Sequence, residues 1–174
     1  MGKNLAVRYH NIVKRALIEV GNELVKEGSR FRKVIDGDKV PIRILHPTKR
    51  KPVAITYKPD VYYQTKVERK FIFEVIDTES ENEIITDITL AFLSPRSHVI
   101  IFIAPTEEKI KRIFDLMDVI YFKLTEDLGA EDKQLPYREV WKVPRGTPES
   151  VKRNVRKFLK PYLHPRVVLS PHFR

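Results

Sequence analysis

The sequence predicts a mixed α/β protein whose sheet is covered by helices. Apolar residues recur at three- and four-residue steps near the start of the chain and again after residue 105, which is the period of an amphipathic helix. Short alternating or wholly apolar runs lie between those segments and indicate strands. The chain has 174 residues, of which 42% are apolar and 32% charged, so we expect residues 1–174 to bury one core as a single domain.

The first part of the chain predicts one helix followed by a hairpin. The helix covers Leu5 to Lys26, and Gly28 lies just past its end, where a C-terminal cap is expected. Phe31–Ile35 and Val40–Leu45 are the first two predicted strands. Asp36-Gly37-Asp38 lies between them and is typical of a hairpin turn.

Three more strands are predicted in the middle of the chain, at Pro52–Tyr57, Asp60–Lys66 and Lys70–Thr78. The first two are separated at Lys58-Pro59, because proline cannot donate to a central ladder. The third is the most apolar strand in this half of the chain, which indicates a central position in the sheet.

The second half of the chain alternates helices with strands. His98–Ala104 is wholly apolar after its first residue, which is typical of a strand covered on both faces. We expect a core over about residues 5–128 and a basic C-terminal extension over about 140–174. The other predicted elements are a helix over Glu83–Leu93 capped by Asn82, a helix from Pro105 to near Gly129, a strand around Val140–Val143, and a helix from Thr147 to about Leu159.

Charge is spread unevenly along the chain. The net charge is +10, and it divides into +9 over residues 1–58, −7 over 59–141 and +8 over 142–174. Basic flanks around an acidic middle predict a surface that binds a polyanion, and we favour nucleic acid, with DNA ahead of RNA. The alternative is that the charge serves only solubility. The residues expected to contact phosphates are Lys49, Arg50 and Lys51 in a short loop and Arg153, Arg156 and Lys157 on the last helix.

Composition excludes several other classes of protein. The chain has no cysteine, so it forms neither disulfides nor thiolate zinc sites. The histidines are scattered, and no apolar run approaches the length of a membrane span. We therefore expect a cytoplasmic protein without a membrane partner. A homodimer is compatible with the sequence, and the abundance of Lys, Arg and Glu is compatible with a thermophilic source.

Two carboxylates in the middle strands form a candidate metal site. Apolar residues surround Glu74 on both faces of its strand, and an ionised carboxylate there is costly unless it is paired or binds a cation. Asp60 would lie beside Glu74 if the two strands pair through the turn near residues 67–69. Together with the backbone carbonyl of Val75, the two acids would form the oxygen-rich site that Mg²⁺ or Mn²⁺ prefers. For either acid alone, a turn residue or an ion pair is the simpler interpretation, but the two together favour the site.

This order of elements and residues resembles the PD-(D/E)XK nuclease superfamily, which has a restriction-endonuclease-like fold. The resemblance extends over roughly Leu5 to Leu124, with Pro59-Asp60 and Glu74-Val75-Ile76 on successive strands. It implies a DNA endonuclease that depends on Mg²⁺ or Mn²⁺, with the Asp and the Glu as metal ligands. It also implies a contributing glutamate on the first helix, which would be Glu19 or Glu23.

The chain departs from the family pattern at one position. The family places a lysine two residues after the acid, where it orients or activates the attacking water, and this chain has Ile76 there. Lys58 and Lys66 are the substitutes that we favour. Asp77 ranks second, because its register puts it on the opposite face of the strand. Loss of catalysis on a retained scaffold is the third alternative.

Three functional hypotheses follow. The first is metal-dependent hydrolysis of phosphodiesters at Asp60 and Glu74. The second is a nucleic-acid-binding protein on the same scaffold that does not cleave. The third is a structural or protein-interaction module with no role in binding nucleic acid.

Overall fold

A five-stranded mixed sheet with two helices packed on each face forms the centre of the structure. The computed structural model describes residues 2–37, 42–46, 51–95, 98–127, 129 and 135–163. A π-helical segment, Lys123–Asp127, continues the third helix, and a 3₁₀ turn, Lys160–Tyr162, follows the fourth. The helices are α1 (Gly2–Lys26), α2 (Glu81–Phe92), α3 (Glu107–Phe122) and α4 (Pro148–Leu159), and the strands are β1 (Phe31–Asp36), β2 (Ile42–Leu45), β3 (Pro52–Tyr57), β4 (Val61–Thr65), β5 (Lys70–Val75), β6 (Val99–Ala104) and β7 (Tyr137–Lys142).

The main sheet changes from antiparallel to parallel at β5. Its strand order is β1-β4-β5-β6-β7, in which β1, β4 and β5 pair antiparallel and β5, β6 and β7 pair parallel. Strands β2 and β3 pair with each other in a separate antiparallel sheet. The predicted mixed α/β class is confirmed, and so is the central position of β5.

The predicted hairpin between the first two strands is wrong. β1 pairs with β4, and β2 pairs with β3, so the two strands belong to different sheets. Residues 38–41 of the predicted turn and strand lie outside the described residues. The partner of β1 comes instead from a later part of the chain, which the Asp-Gly signal does not indicate.

Strand β5 separates two apolar layers. Phe71, Phe73 and Val75 point to the layer that contains α1 and α4. Ile72 and Ile76 point to the layer that contains α2 and α3. All five side chains are at most 2% exposed. Alternation along the strand therefore predicts both faces correctly.

Local signals determine where the helices begin and end. Gly28 adopts φ +76° after α1, and the amide of Ser29 donates to the carbonyl of Leu24 at 3.1 Å, which confirms the predicted cap. Thr147 caps α4, as predicted. The predicted cap of α2 is wrong, because Ser80 rather than Asn82 accepts the hydrogen bond from the amide of Glu83 in a reciprocal capping box.

Helix α1 lies very close to β1 and β4. A Cβ atom at Gly21 would lie 2.6 Å from Cγ2 of Val34 and 2.7 Å from the ring of Tyr63. The buried hydroxyl of Tyr63 donates to the carbonyl of Leu17 on the same helix. A glycine in mid-helix is normally unfavourable, and here it permits the contact that positions α1 on the sheet.

We expect Gly21→Ala to destabilise the fold by about 1–3 kcal/mol, because the methyl group forces α1 away from Tyr63. Equilibrium unfolding in urea measures the change. Asn22→Ala is the matched control, since Asn22 is exposed on the same helix and its replacement should change stability by less than about 0.5 kcal/mol. Equal stability of the two variants would contradict the packing argument.

Candidate functional site

The register of β4 against β5 places Asp60 beside Glu74. Val61 pairs with Phe73 in the antiparallel ladder. Asp60, which precedes Val61, therefore lies opposite Glu74, which follows Phe73. The amide of Asp60 donates to Oε2 of Glu74 at 3.3 Å, and the amide of Val75 donates to Oδ2 of Asp60 at 2.8 Å. The structure thus brings together the three predicted metal-site residues, Asp60, Glu74 and Val75.

Gly37 permits the approach of the Pro59-Asp60 segment to the end of β1. A Cβ atom at position 37 would lie 1.5 Å from the carbonyl oxygen of Pro59, which no side chain can tolerate. The amide of Gly37 donates to the carbonyl of Asp60 at 3.2 Å. This glycine therefore helps to fix the position of the Asp60 backbone.

Glu74 is buried and only partly satisfied. Its side chain is 5% exposed, and Oε1 has no hydrogen-bond partner. Burial raises the pKa of Glu74 well above its ordinary range, and the charges of Asp60 and Asp87 raise it further. The buried hydroxyl of Tyr57 faces the same carboxylate, and although the two groups interact electrostatically, neither Tyr57 Oη nor Glu74 Oε1 makes a well-formed hydrogen bond.

Asp87, on α2, adds a third carboxylate that sequence reasoning missed. Burial raises its pKa to about 6, and the negative charges of Asp60, Glu79 and Glu83 add to the effect. Asp87, Glu79 and Glu83 line a surface cleft of about 390 Å³. The electrostatic coupling of Asp87 to Asp60 and Glu74 extends the negative potential of the acid pair to this cleft.

His10, on α1, is the second residue that sequence reasoning missed. Its Nε2 lies 2.8 Å from Oδ1 of Asp60. The hydrogen bond to Asp60 raises the pKa of His10 above its ordinary value, while partial burial opposes the shift. An isolated histidine on an amphipathic helix gives no sequence signal for this contact, because its partner is fifty residues further along the chain.

The predicted substitutes for the missing lysine are not brought into contact with the acids. Ile76 is 1% exposed in the layer of α2 and α3, and its amide donates to Ile103. Lys58 is exposed and makes no hydrogen bond or ion pair with either acid among the described residues. Lys66 lies beyond the other end of β4, about 20 Å along the strand direction from Asp60, where its Nζ donates to the carbonyl of Gly28 at 3.4 Å. Asp77 is buried and forms an ion pair with Arg145.

The predicted glutamates of the first helix lie away from the acid pair. Glu19 and Glu23 are about 13 and 20 Å further along α1 than His10. Lys152 on α4 contacts both of them, at 3.5 and 2.6 Å. These two glutamates connect α1 to α4. The residue of α1 that contacts Asp60 is His10, nearer the start of the helix.

The basic face of α4 is partly neutralised. Arg156 contacts Glu23 at 2.9 Å and Glu27 at 2.5 Å, so its guanidinium is occupied by carboxylates. Arg153 and Lys157 are exposed, as phosphate contacts require, and so is Lys51. Lys49 and Arg50 of the predicted basic loop lie outside the described residues.

Carboxylate oxygens are the donors that Mg²⁺ and Mn²⁺ prefer, and the unsatisfied Oε1 of Glu74 fits that requirement. Within the described ranges, no group of three or more His, Asp or Glu side chains is arranged to hold a metal ion.

No helix in the described part of the chain is long and apolar enough to cross a membrane. No protein-family model matches the chain, and no significant match is found among curated proteins or solved structures.

The burial of Glu74 predicts a pH-dependent stability. A raised pKa in the folded state means that the stability is fully present below the unfolded pKa and is lost as the pH rises through the folded one. We expect Glu74→Gln to be more stable than the wild type by about 1–3 kcal/mol at pH 8, with a smaller difference at pH 5.

Urea unfolding at the two pH values measures this difference. Glu126→Gln is the matched control, because Glu126 is exposed and its replacement should leave the difference between the two pH values close to that of the wild type. A Glu74→Gln variant that loses stability at pH 8 would contradict the interpretation of Glu74 as an uncompensated buried acid.

Proposed function

We propose that this chain is a nucleic-acid-binding protein with a restriction-endonuclease-like fold that hydrolyses phosphodiesters with Mg²⁺ or Mn²⁺. The order of elements and the mixed sheet support this fold. DNA is the substrate class that we favour. The net charge of +10 supports a polyanionic partner.

The unsatisfied carboxylate of Glu74 carries the proposal. A buried acceptor without a partner costs free energy, and a buried charged acceptor costs more. Glu74 lies on the central strand, has one oxygen without a hydrogen-bond partner and adjoins a second carboxylate, that of Asp60. A bound divalent cation would neutralise the two neighbouring carboxylates and give the unpaired oxygen of Glu74 a partner.

Each residue of the acid pair has a distinct part in this proposal. The carboxylates of Asp60 and Glu74, with the backbone carbonyl of Val75, would hold the ion, and Mg²⁺ sites of this type are completed by water and substrate phosphate oxygens. When bound, the ion supplies a more acidic water and neutralises charge on the phosphate. The amide of Val75 and the imidazole of His10 both contact the Asp60 carboxylate and orient it. Arg153 and Lys157 remain proposed contacts for phosphates further along the nucleic acid.

A second candidate function is nucleic-acid binding without turnover. Its support is the burial of Ile76 in the apolar layer beneath α2 and α3, where an activating lysine would be expected. In this alternative, the acid pair and its cation have a structural role. The two candidates share the binding surface and differ only in the chemical step.

Cleavage of plasmid and single-stranded DNA in Mn²⁺ distinguishes the candidates. We expect wild-type cleavage, and a loss of about 100-fold or more in both Asp60→Asn and Glu74→Gln, because each substitution removes a charged ligand. Glu126→Gln should cleave as the wild type does. Cleavage that persists in both acid variants would contradict the proposed site.

The stability change on adding Mn²⁺ gives a readout that does not depend on activity. A ligand that binds only the folded state raises the melting temperature by mass action. We expect the rise in the wild type and not in Asp60→Asn or Glu74→Gln. If Mn²⁺ stabilises the wild type and DNA binds in a salt-dependent manner without cleavage, the second candidate replaces the first. Absence of binding at low salt would overturn both.

A further inference from the structure

Two arginines line a cavity at the same end of the sheet as the acid pair. The cavity has a volume of about 430 Å³, and Arg8 from α1 and Arg145 from the segment between β7 and α4 contribute its charged side chains. Tyr9, Gly146 and Thr147 complete much of the wall. No carboxylate from the described residues lines this cavity.

Arg145 is held in a defined orientation. Its guanidinium forms an ion pair with Asp77, which is 1% exposed, and its Cζ lies 5.1 Å from the centroid of the Tyr9 ring. The ring of Tyr9 is itself fixed, because its hydroxyl donates to the carbonyl of Val143 at 2.8 Å. Arg145 nevertheless remains 46% exposed.

Arg8 is an exposed cation one residue before Tyr9 on α1. Among the described residues it has no hydrogen-bond or ion-pair partner. Arg145 already has Asp77 as its counterion, whereas Arg8 adds a positive charge to the same cavity without a carboxylate of the described residues beside it. The planar donors of arginine match the oxygens of a phosphate group better than a lysine does.

The position of this cavity relates it to the acid pair. Tyr9 contacts Arg145, and the next residue, His10, contacts Asp60. The cavity and the acid pair therefore flank the same turn of α1, at the carboxyl ends of the parallel strands, where ligands bind in open α/β sheets.

We propose that Arg8 and Arg145 bind a phosphodiester group of the nucleic acid, close to the phosphate that the acid pair would act on. The inference rests on the proposed function, since it assigns the position of the substrate backbone at that site. Asp77 and Tyr9 act as positioning residues, because the ion pair with Asp77 and the ring contact with Tyr9 hold Arg145 at the wall of the cavity. The acidic cleft beside Asp87 repels phosphates, whereas the basic cavity attracts them. The two together would orient the sugar-phosphate backbone of the nucleic acid across the site.

The test uses the full chain and a fluorescent single-stranded oligonucleotide, without divalent metal, over a series of NaCl concentrations. Arg8→Ala removes an exposed, unpartnered cation and leaves the core unchanged. We expect the affinity of this variant for the oligonucleotide to fall roughly 3- to 10-fold. The slope of log affinity against log salt should become shallower by about 1, which corresponds to the loss of one phosphate contact. Lys111→Ala is the control, since Lys111 is exposed on α3 on the other face of the sheet, and its affinity should change less than about twofold.

Arg145→Lys is the second variant, because it retains a cation for Asp77 and loses the planar fork. We expect it to weaken oligonucleotide binding to a similar extent while the melting temperature stays close to that of the wild type. Inorganic phosphate is the second ligand, and we expect no binding at millimolar concentration. Phosphate binding that Arg8→Ala abolishes, with unchanged oligonucleotide binding, would assign the cavity to a free anion and overturn the proposal.

The remaining outcomes separate this inference from the proposed function. If the wild type binds and cleaves DNA and Arg8→Ala does so with the same affinity and salt slope, the arginine cavity is not a phosphate site, and the acid-pair proposal stands. If the wild type binds no oligonucleotide at low salt, both are overturned. If only the metal-dependent step fails while Arg8→Ala still weakens binding, the arginine site stands and the catalytic assignment does not.

Discussion

The hydrogen bonds between Asp60, Glu74 and Val75 are the interaction on which the rest of this end of the molecule depends. They cross from the start of β4 to the end of β5 and fix the register of the two strands. A shift of one residue would turn each side chain to the opposite face and separate the two acids. His10 of α1 contacts Asp60 directly, and Asp87 of α2 interacts with it through charge. The register of β4 against β5 therefore places the acid pair within reach of groups from both helical layers.

Local pattern is sufficient to predict the pair of acids and insufficient to predict its surroundings. The alternation in β5 and the short connection between β4 and β5 imply that Asp60 meets Glu74, since both depend on neighbouring residues. The pairing of β1 with β4 depends on contacts across about thirty residues, which no turn signal encodes. Gly37 illustrates the difference: its sequence context indicates a hairpin, whereas the structure requires glycine because Pro59 lies against it.

Charge patterns along the chain describe the surface only in part. The sequence of α4 predicts its basic face. It does not predict that acids of α1 pack against that face, because this contact depends on how the two helices pack. Glu23 and Glu27 occupy Arg156, whereas Arg8 and Arg145 gather in a cavity although they are more than a hundred residues apart. His10 escapes sequence reasoning for the same reason, since its contact exists only after α1 packs on the sheet.

The burial of Ile76 limits which side chains this position can accept. A lysine at this position would bring an ammonium group into a layer formed by the apolar side chains of β5, β6, α2 and α3. A buried charge is costly unless it is paired, and Glu74, two residues earlier on the same face of the strand, has an oxygen without a partner. Position 76 would therefore accept a lysine only together with an ionised Glu74.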